Sequence, residues 1–376
     1  MTLYITGGHL TPALAVIDEI QKNYPKVKIR FIGREYSQND GQQQSKEREE
    51  IEKRDIPFFA IDAAKFHRTH FLKNGVELLK VLPSFLEVWK LFRQKKPDVL
   101  LSFGGYIAIP ACIVAKSFHA TIILHEQTTV AGLANQVLSV LADKIAVANE
   151  SSLPFFPAHK TVVTGNPIRE SLFREYKTPP EWLGQIVVDR PLLYVTGGSQ
   201  GSQIINQALS QILPKLVPDF VIVHQCGTSP DHHYQKTLEL EREKLPEELK
   251  QNYIVREWIE AKEVSFLFRN AQFVISRAGA NTVQELTLVG TPAIYIPLAF
   301  AYQDEQYKNI EKLIDSNASL LLAQKDLLPE TLYESIMKML REYEEIKKNM
   351  RIAEESFPKN GTKNLLALVF EKENEK

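Results

Sequence analysis

A strand that ends in two glycines occurs twice in this chain. "LYITGG" runs from Leu3 to Gly8, and "LYVTGG" from Leu193 to Gly198, 190 residues further on. Each is followed by a helix-forming pattern, "HLTPALAV" and "SQGSQIINQAL". A short apolar run closed by glycine and leading into a helix is the opening unit of a parallel α/β sheet. Two copies in 376 residues, a length at which one core stops growing, predict two domains of one design.

The rest of the chain fits that frame. In the first half "KIRFIG", "PFFAID", "DVLLSFGG", "TIILHEQ", "KIAVAN" and "TVVTGNPI" read as further strands. Helical patterns separate them, among them "PALAVIDEIQKNY" with Pro12 at its start and "VELLKVLPSFLEVWKLFRQKK" with a break near Pro83. In the second half "FVIVHQCG", "YIVREWI", "FVISRAG" and "AIYIPL" are strands, and Gly290 closes the helix "NTVQELTLVG". The expected division is 1–168, 169–348 and a helical tail 349–376 broken at "PKNG", with residues 170–191 as the junction. The fold class is α/β, two Rossmann-like domains with parallel sheets.

Composition excludes several classes. Net charge is −1, so no global polyanion-binding signal exists and nucleic acid is not an expected partner. Two cysteines, Cys112 and Cys226, form neither a disulfide framework nor a zinc pattern, and suit a reducing cytosol. The N-terminus lacks the basic start of a signal peptide, and no run of eighteen apolar residues predicts a membrane span. Charge is nevertheless uneven. Residues 1–160 carry 20 Lys and Arg against 16 Asp and Glu, and between Lys65 and Lys96 eight basic residues face two acidic ones.

Candidate chemistry gathers where strands end, the edge at which open α/β sheets bind ligands. A glycine turn feeding a helix brings backbone N–H groups to an anion at the positive helix end. "GGSQGS", Gly197 to Ser202, has this form with Ser199 as a flanking hydroxyl. Neither turn is G-x-G-x-x-G and no acidic residue ends a second strand, which argues against a dinucleotide. In "SRAGANTVQE", Asn281 and Thr282 suit a helix start, and Glu285 lies one turn further in, placed to accept hydrogen bonds from a vicinal diol such as a ribose. Arg169 in "TGNPIRE" lies at the junction. His125, Glu126 and Gln127 end one strand, "SFGGYIAIP" follows another, and His9 follows the first glycine turn. A histidine there is a candidate general base. No D-x-D occurs, so a sugar–nucleotide enzyme of this sequence would neutralise its leaving diphosphate with a helix end and cationic side chains rather than a protein-held metal.

Seven motifs occur in one order: "TGGHLTPALAV", "FGGYIAIPA", "LHEQTTVAGLAN", "GNPIR", "GGSQGSQIINQ", "SRAGANTVQE" and "DEQYKN". In these the chain resembles, over nearly its whole length, the MurG family, the bacterial transferases that add N-acetylglucosamine to undecaprenyl-linked muramyl-pentapeptide in peptidoglycan synthesis. The resemblance implies a GT-B fold whose two domains face each other across a cleft, with the C-terminal helix crossing back to the first. It implies UDP-N-acetylglucosamine on the second domain and the lipid acceptor on the first. Thr6, Gly7 and Gly8 match the donor-facing loop and His9 its adjacent histidine. Arg169 and Ser199 match nucleotide and diphosphate contacts, and Ile259 a residue whose backbone reads uracil. Ala280, Asn281, Thr282 and Glu285 match the helix-start segment, with Glu285 on the ribose. Gln306 and Thr128 stand at sugar contacts. Tyr106, His125 and Gln127 match the acceptor side, and His9 or Glu126 takes the hydroxyl proton.

Three positions depart from the family. Tyr4 and Ile5 stand where two more glycines are common, Thr128 where many members have Asn, and Glu305 where some have Gln. The implied reaction inverts the anomeric centre, requires no cofactor and admits a divalent cation only as a stimulant. The implied location is peripheral, on the cytoplasmic face of the membrane, where anionic lipid would meet the basic stretch and other proteins of wall synthesis, cell shape and division are further partners. Two other readings share the fold: a related transferase acting from a UDP-sugar on another lipid or small-molecule acceptor, and a non-catalytic nucleotide-sugar-binding protein.

Overall fold

The computed structural model describes residues 1–36, 44–61, 82–174, 178–188, 190–228 and 233–374. The chain divides into two compact units, one of Met1–Arg169 with Pro358–Lys376 and one of Glu170–Phe357.

Among the described residues the first unit has seven strands: β1 (Thr2–Thr6), β2 (Lys28–Gly33), β3 (Phe58–Ala60), β4 (Val99–Ser102), β5 (Thr121–Glu126), β6 (Lys144–Val147) and β7 (Thr161–Val163). All pair in parallel, in the order β3-β2-β1-β4-β5-β6-β7. The second has β8 (Leu192–Thr196), β9 (Val221–Gln225), β10 (Tyr253–Arg256), β11 (Ala271–Ser276), β12 (Ala293–Tyr295) and β13 (Leu320–Leu321), again parallel, in the order β10-β9-β8-β11-β12-β13. Both orders reverse beside the opening strand, the mark of the Rossmann fold. The reversal leaves a crevice between β1 and β4 in one sheet and between β8 and β11 in the other, so the glycine turns after these strands lie at the switch points.

Burial follows from pattern. Leu3, Ile5, Leu100, Leu101, Ile122 and Ile123 are fully buried because helices cover both faces of the sheet, and each such side chain contributes roughly 1.5–3 kcal/mol. Tyr4 and Ile5 belong to β1, which runs on to Thr6. Tyr4 stacks edge-on against Phe92 at 4.9 Å and donates its hydroxyl proton to Lys95 O at 2.9 Å.

Several bounds differ from expectation. The helix after β1 begins at Leu10 rather than Pro12, with His9 as its N-cap. The β10 strand stops at Arg256, because Glu260 and Glu263 start a new helix, Ala261–Asn270. The β13 edge strand was too short to announce itself. Of the helix expected across "VELLKVLPSFLEVWKLFRQKK", Leu82–Gln94 is helical, and 76–81 lie outside the described residues. In the tail, Asn349–Phe357 group with the second unit, and the return to the first begins at Pro358. There the helix Gly361–Asn374 buries Leu365, Leu366, Val369 and Phe370 beside Leu3, Ile5, Val16 and Ile20.

Candidate active site

In the first unit, two backbone turns are pressed together at the switch point. Gly8 has φ +143°, and a Cβ there would come within 2.5 Å of the Gly104 carbonyl oxygen. The side chains beneath hold the turns from inside. Thr6 Oγ1 donates to Ser102 Oγ at 3.0 Å, and the Gly104 N–H donates to the same oxygen at 3.2 Å. Glu47, from the helix Lys46–Glu52, fills the space beside Gly7 and accepts from the Arg34 N–H at 3.0 Å. Burial raises its carboxyl pKa, and hydrogen bonds from the Arg34 and Gly8 backbone together with the Arg34 charge oppose the rise. Tyr106 lies 5.9 Å from the Arg34 guanidinium.

The end of β5 is a closed network around Glu126, which is 2% exposed. Its Oε1 accepts from the Thr128 N–H at 3.1 Å and lies 2.6 Å from Thr128 Oγ1. Its Oε2 accepts from the Gly132 N–H at 2.8 Å and from Asn135 Nδ2 at 3.0 Å. Three N–H donors converge on the two oxygens, and the single proton of the Thr128 hydroxyl lies between Oε1 and the Val130 carbonyl, so the carboxylate is held in place by its own neighbours. Thr128 is therefore turned inward, its hydroxyl also 2.6 Å from Val130 O. Gln127 is buried beside it. His125 is fully buried and donates from Nε2 to the Gly165 carbonyl at 3.3 Å. Burial drives its pKa down to about 4, against the opposing effects of the Gly165 bond and the Glu126 charge.

His9 differs from both. Its backbone is extended and its side chain caps nothing. Burial holds the imidazole below its ordinary pKa of 6.5, while the negative charge of Glu126 pulls it part of the way back. The result is a neutral imidazole near pH 7, electrostatically coupled to a carboxylate whose own bonds fix it in place.

In the second unit the same position is built with the same economy. Gly201 has φ +77°, and its Cα packs so closely on the Cys226 carbonyl that no Cβ fits. The Gly198 N–H donates to Thr196 Oγ1 at 3.0 Å, and the Ser199 carbonyl accepts from the Thr228 N–H at 3.0 Å, leaving the Ser199 side chain exposed. Behind the turn lies a buried chain. Tyr253 OH lies 2.7 Å from His224 Nδ1, His224 Nε2 lies 2.9 Å from Asn206 Oδ1, and Asn206 Nδ2 donates to Cys226 O at 3.1 Å. The last bond fixes the amide orientation, so Nε2 carries the imidazole proton and Nδ1 accepts from the tyrosine. Burial lowers the His224 pKa to about 3.

After β11, Arg277 ties this edge together. Its Nη1 donates to Ile296 O at 3.0 Å and Gln324 Oε1 at 2.8 Å, and its Nη2 to Ser202 Oγ at 2.9 Å. All these acceptors are uncharged, and among the described residues Arg277 makes no ion pair. The helix Ala280–Leu288 follows with Gly279 as N-cap. Asn281 and Thr282 therefore lie within its first turn rather than capping it, and Ala280 and Glu285 are buried. Beyond β10, Ile259 is buried at the start of the turn into the next helix. Gln306 accepts from the Leu298 N–H at 2.9 Å, which turns its NH2 group away from that bond. Arg169 is half-buried at the end of the first unit.

Thr6, Gly7, Gly8, His9, Tyr106 and His125–Thr128 thus share one sheet edge, and Ser199, Ile259, Ala280–Glu285 and Gln306 share the other. Glu47, Asn135, Asn206, His224 and Arg277 were not singled out from sequence. Arg277, Asn135 and Asn206 stand inside motifs that were; Glu47 lies in a polar run that reads as a loop running into an exposed helix, whereas it is buried.

Two parallel Rossmann-like sheets, each with a glycine turn at its switch point, form an architecture that matches both glycosyltransferases and nucleotide-sugar epimerases in fold. The description of the glycosyltransferase family 28 N-terminal domain matches residues 6–147, and that of the C-terminal domain of the same family matches residues 192–365. A Lachnospira eligens protein named UDP-N-acetylglucosamine–N-acetylmuramyl-(pentapeptide) pyrophosphoryl-undecaprenol N-acetylglucosamine transferase is 31% identical over 353 residues, covering 93% of each chain. The crystal structure of Acinetobacter baumannii MurG superposes with a TM-score of 0.68 at 24% identity, over 98% of this chain and 99% of that one. A putative UDP-N-acetylglucosamine 2-epimerase of Listeria monocytogenes gives 0.70 at 14% identity over 100% and 97%, a likeness of fold alone. The chain belongs to the MurG family of N-acetylglucosamine transferases.

Proposed function

We propose that this chain transfers N-acetylglucosamine from UDP-N-acetylglucosamine to the 4-hydroxyl of undecaprenyl-diphospho-N-acetylmuramyl-pentapeptide, with inversion from an α-linked donor to a β-1,4 bond. The observation that carries the chemistry is His9 at the switch point, its side chain capping nothing and its pKa lowered by burial against the Glu126 charge, while the Glu126 oxygens already accept three N–H bonds. It favours His9 as the base that takes the acceptor proton. In this reading the Glu126 charge stabilises the imidazolium that forms. Tyr106, His125 and Gln127 belong to the acceptor side in this reading.

On the donor side, the leaving diphosphate sits on the turn Gly197–Ser202, with Ser199, Arg169 and Arg277 supplying donors and charge. Arg277 supports this because its hydrogen bonds go only to uncharged groups at that edge. The backbone near Ile259 reads the base, Glu285 the ribose, and Gln306 the sugar. With charge supplied this way, turnover requires no tightly bound metal. Alignment of two substrates supplies roughly 7–11 kcal/mol of the barrier reduction.

The acceptor is a membrane lipid, and the first unit offers a surface for it. No helix among the described residues is long and apolar enough to cross a membrane. On the helix Leu82–Gln94, however, Leu86 is 60% and Trp89 42% exposed, with the Arg93 guanidinium 5.2 Å from the Trp89 ring. Lys90, Lys95 and Lys96 are exposed nearby. Apolar side chains among cations suit the peripheral, cytoplasmic-face attachment expected, at about 1 kcal/mol per basic residue. The part of that stretch before Leu82 lies outside the described residues.

The test is product analysis. Parent protein with UDP-N-acetylglucosamine and a short-chain lipid-linked muramyl-pentapeptide should yield one β-1,4-linked disaccharide lipid. A different linkage, or transfer to other lipid acceptors with equal efficiency, would favour the related-transferase reading.

A further inference from the structure

Ser171, Leu172 and Trp182, near the start of the second unit, pack on one of that unit's own helices. Ser171 Oγ lies 2.9 Å from Ser265 Oγ, and Arg269 Nε donates to Leu172 O. Ten residues beyond Leu172, Trp182 Nε1 donates to Glu263 Oε1 at 2.6 Å. Ser265, Arg269 and Glu263 all belong to the helix Ala261–Asn270.

Glu263 is a two-sided carboxylate. Its other oxygen, Oε2, accepts at 3.1 Å from the N–H of Glu260, the amide directly after Ile259. Trp182 touches the same turn at its opposite end, where the Arg256 guanidinium lies 4.9 Å from the indole centroid. Arg256 ends β10, and its carbonyl accepts from the Cys226 N–H at 2.9 Å, next to the glycine turns. A single connector side chain thus holds both ends of the turn Arg256–Glu260, one through a ring face and one through a carboxylate.

We infer that Trp182 is a positioning residue for nucleobase recognition: through Glu263 and Arg256 it fixes the backbone that reads the base, and it wires the connector to donor binding. The inference rests on the reading that the Ile259 turn contacts the base. That turn lies beyond the carboxyl end of a parallel strand, on the edge that carries the glycine turns and Arg277, where such sheets bind nucleotides. A charge-assisted indole–carboxylate bond is of the strength needed to bias it.

The experiment measures UDP and CDP affinity by calorimetry, donor and acceptor KM with kcat, and amide hydrogen exchange across residues 256–263 with and without UDP. The proteins are the parent, Trp182→Phe, which keeps a ring for Arg256 but loses the donor, and Glu263→Gln. Both variants should weaken UDP binding and raise donor KM by about tenfold, the loss of a hydrogen bond to a charged group. Acceptor KM and kcat should hold, and the preference for UDP over CDP should shrink. Exchange protection of 256–263 by UDP in the parent, combined with unchanged UDP affinity in both variants, would overturn the wiring while leaving the base site intact. Equal losses in kcat and both KM values would assign Trp182 a merely structural role and overturn the inference. If UDP does not protect 256–263 in the parent, the base-reading assignment itself fails and the inference falls with it.

Discussion

At the scale of single residues, the two candidate bases separate by what their lone pairs already do. Glu126, whose two oxygens already accept three N–H bonds, holds the site; His9, whose side chain caps nothing, acts in it. His9→Ala should lower kcat by about 10²- to 10⁴-fold, the usual contribution of a positioned base, with donor KM little changed. Because burial lowers the His9 pKa, the acid limb of kcat should fall below pH 6.5. Glu126→Gln removes the charge that raises that pKa, so the limb should move further toward acid. A limb that stays in place in the Gln variant would separate Glu126 from the base. Glu285→Ala should raise donor KM strongly without changing acceptor KM, and an unaltered donor KM would remove it from the ribose.

At the scale of elements, what was legible is what repeats. The duplicated strand–turn, the strand–helix alternation and the motifs at strand ends were readable because parallel sheets bury both faces and bind at one edge. Glu285, Ser199 and His9 stood out because each follows a glycine or small-residue turn. The partners that hold them did not. Glu47 reaches the Gly7 turn from a separate helix, and His224 reaches from its strand to Asn206 on the helix Gln203–Leu216; no periodicity records such contacts. The short β13 and the stop of β10 at Arg256 were set by tertiary pairing and by a cap. The C-terminal helix is a case where element and site meet. Asn364 Nδ2 donates to Thr164 O at 3.0 Å, and Thr362 Oγ1 lies 3.2 Å from Ile168 N and 3.1 Å from Ile168 O, bracing the Gly165 carbonyl that His125 uses. The helix Leu82–Gln94 yields its own prediction. Leu86→Ser with Trp89→Ser should reduce sedimentation with both anionic and neutral vesicles, whereas Lys90→Gln with Arg93→Gln should reduce it on anionic vesicles alone. Parent-like sedimentation of both pairs would leave that face merely solvated.

At the scale of the whole molecule, two fully buried imidazoles, one in each unit, add to His9 in tying stability to pH. His125 and His224 have folded pKa values near 4 and 3, below the ordinary 6.5. The unfolded chain therefore takes up their protons first as pH falls below 6.5. Each histidine should cost up to about 1.4 kcal/mol per pH unit from there until its folded value is reached. Above pH 6.5 neither contributes a slope. Unfolding midpoints should accordingly be flat from pH 7 to 8 and fall from pH 6.5 toward 4, less steeply for the second unit in His224→Gln. A profile unaffected by that substitution would mean that His224 is protonated in the folded protein. UDP release measures most directly whether this chain performs an acceptor-dependent transfer. UDP should appear from UDP-N-acetylglucosamine at a substantial rate only when the lipid-linked muramyl-pentapeptide analogue is present, and His9→Ala should abolish most of that rate while still binding UDP. Tight UDP-N-acetylglucosamine binding with no acceptor-dependent UDP release would contradict the account and leave a nucleotide-sugar-binding protein in its place.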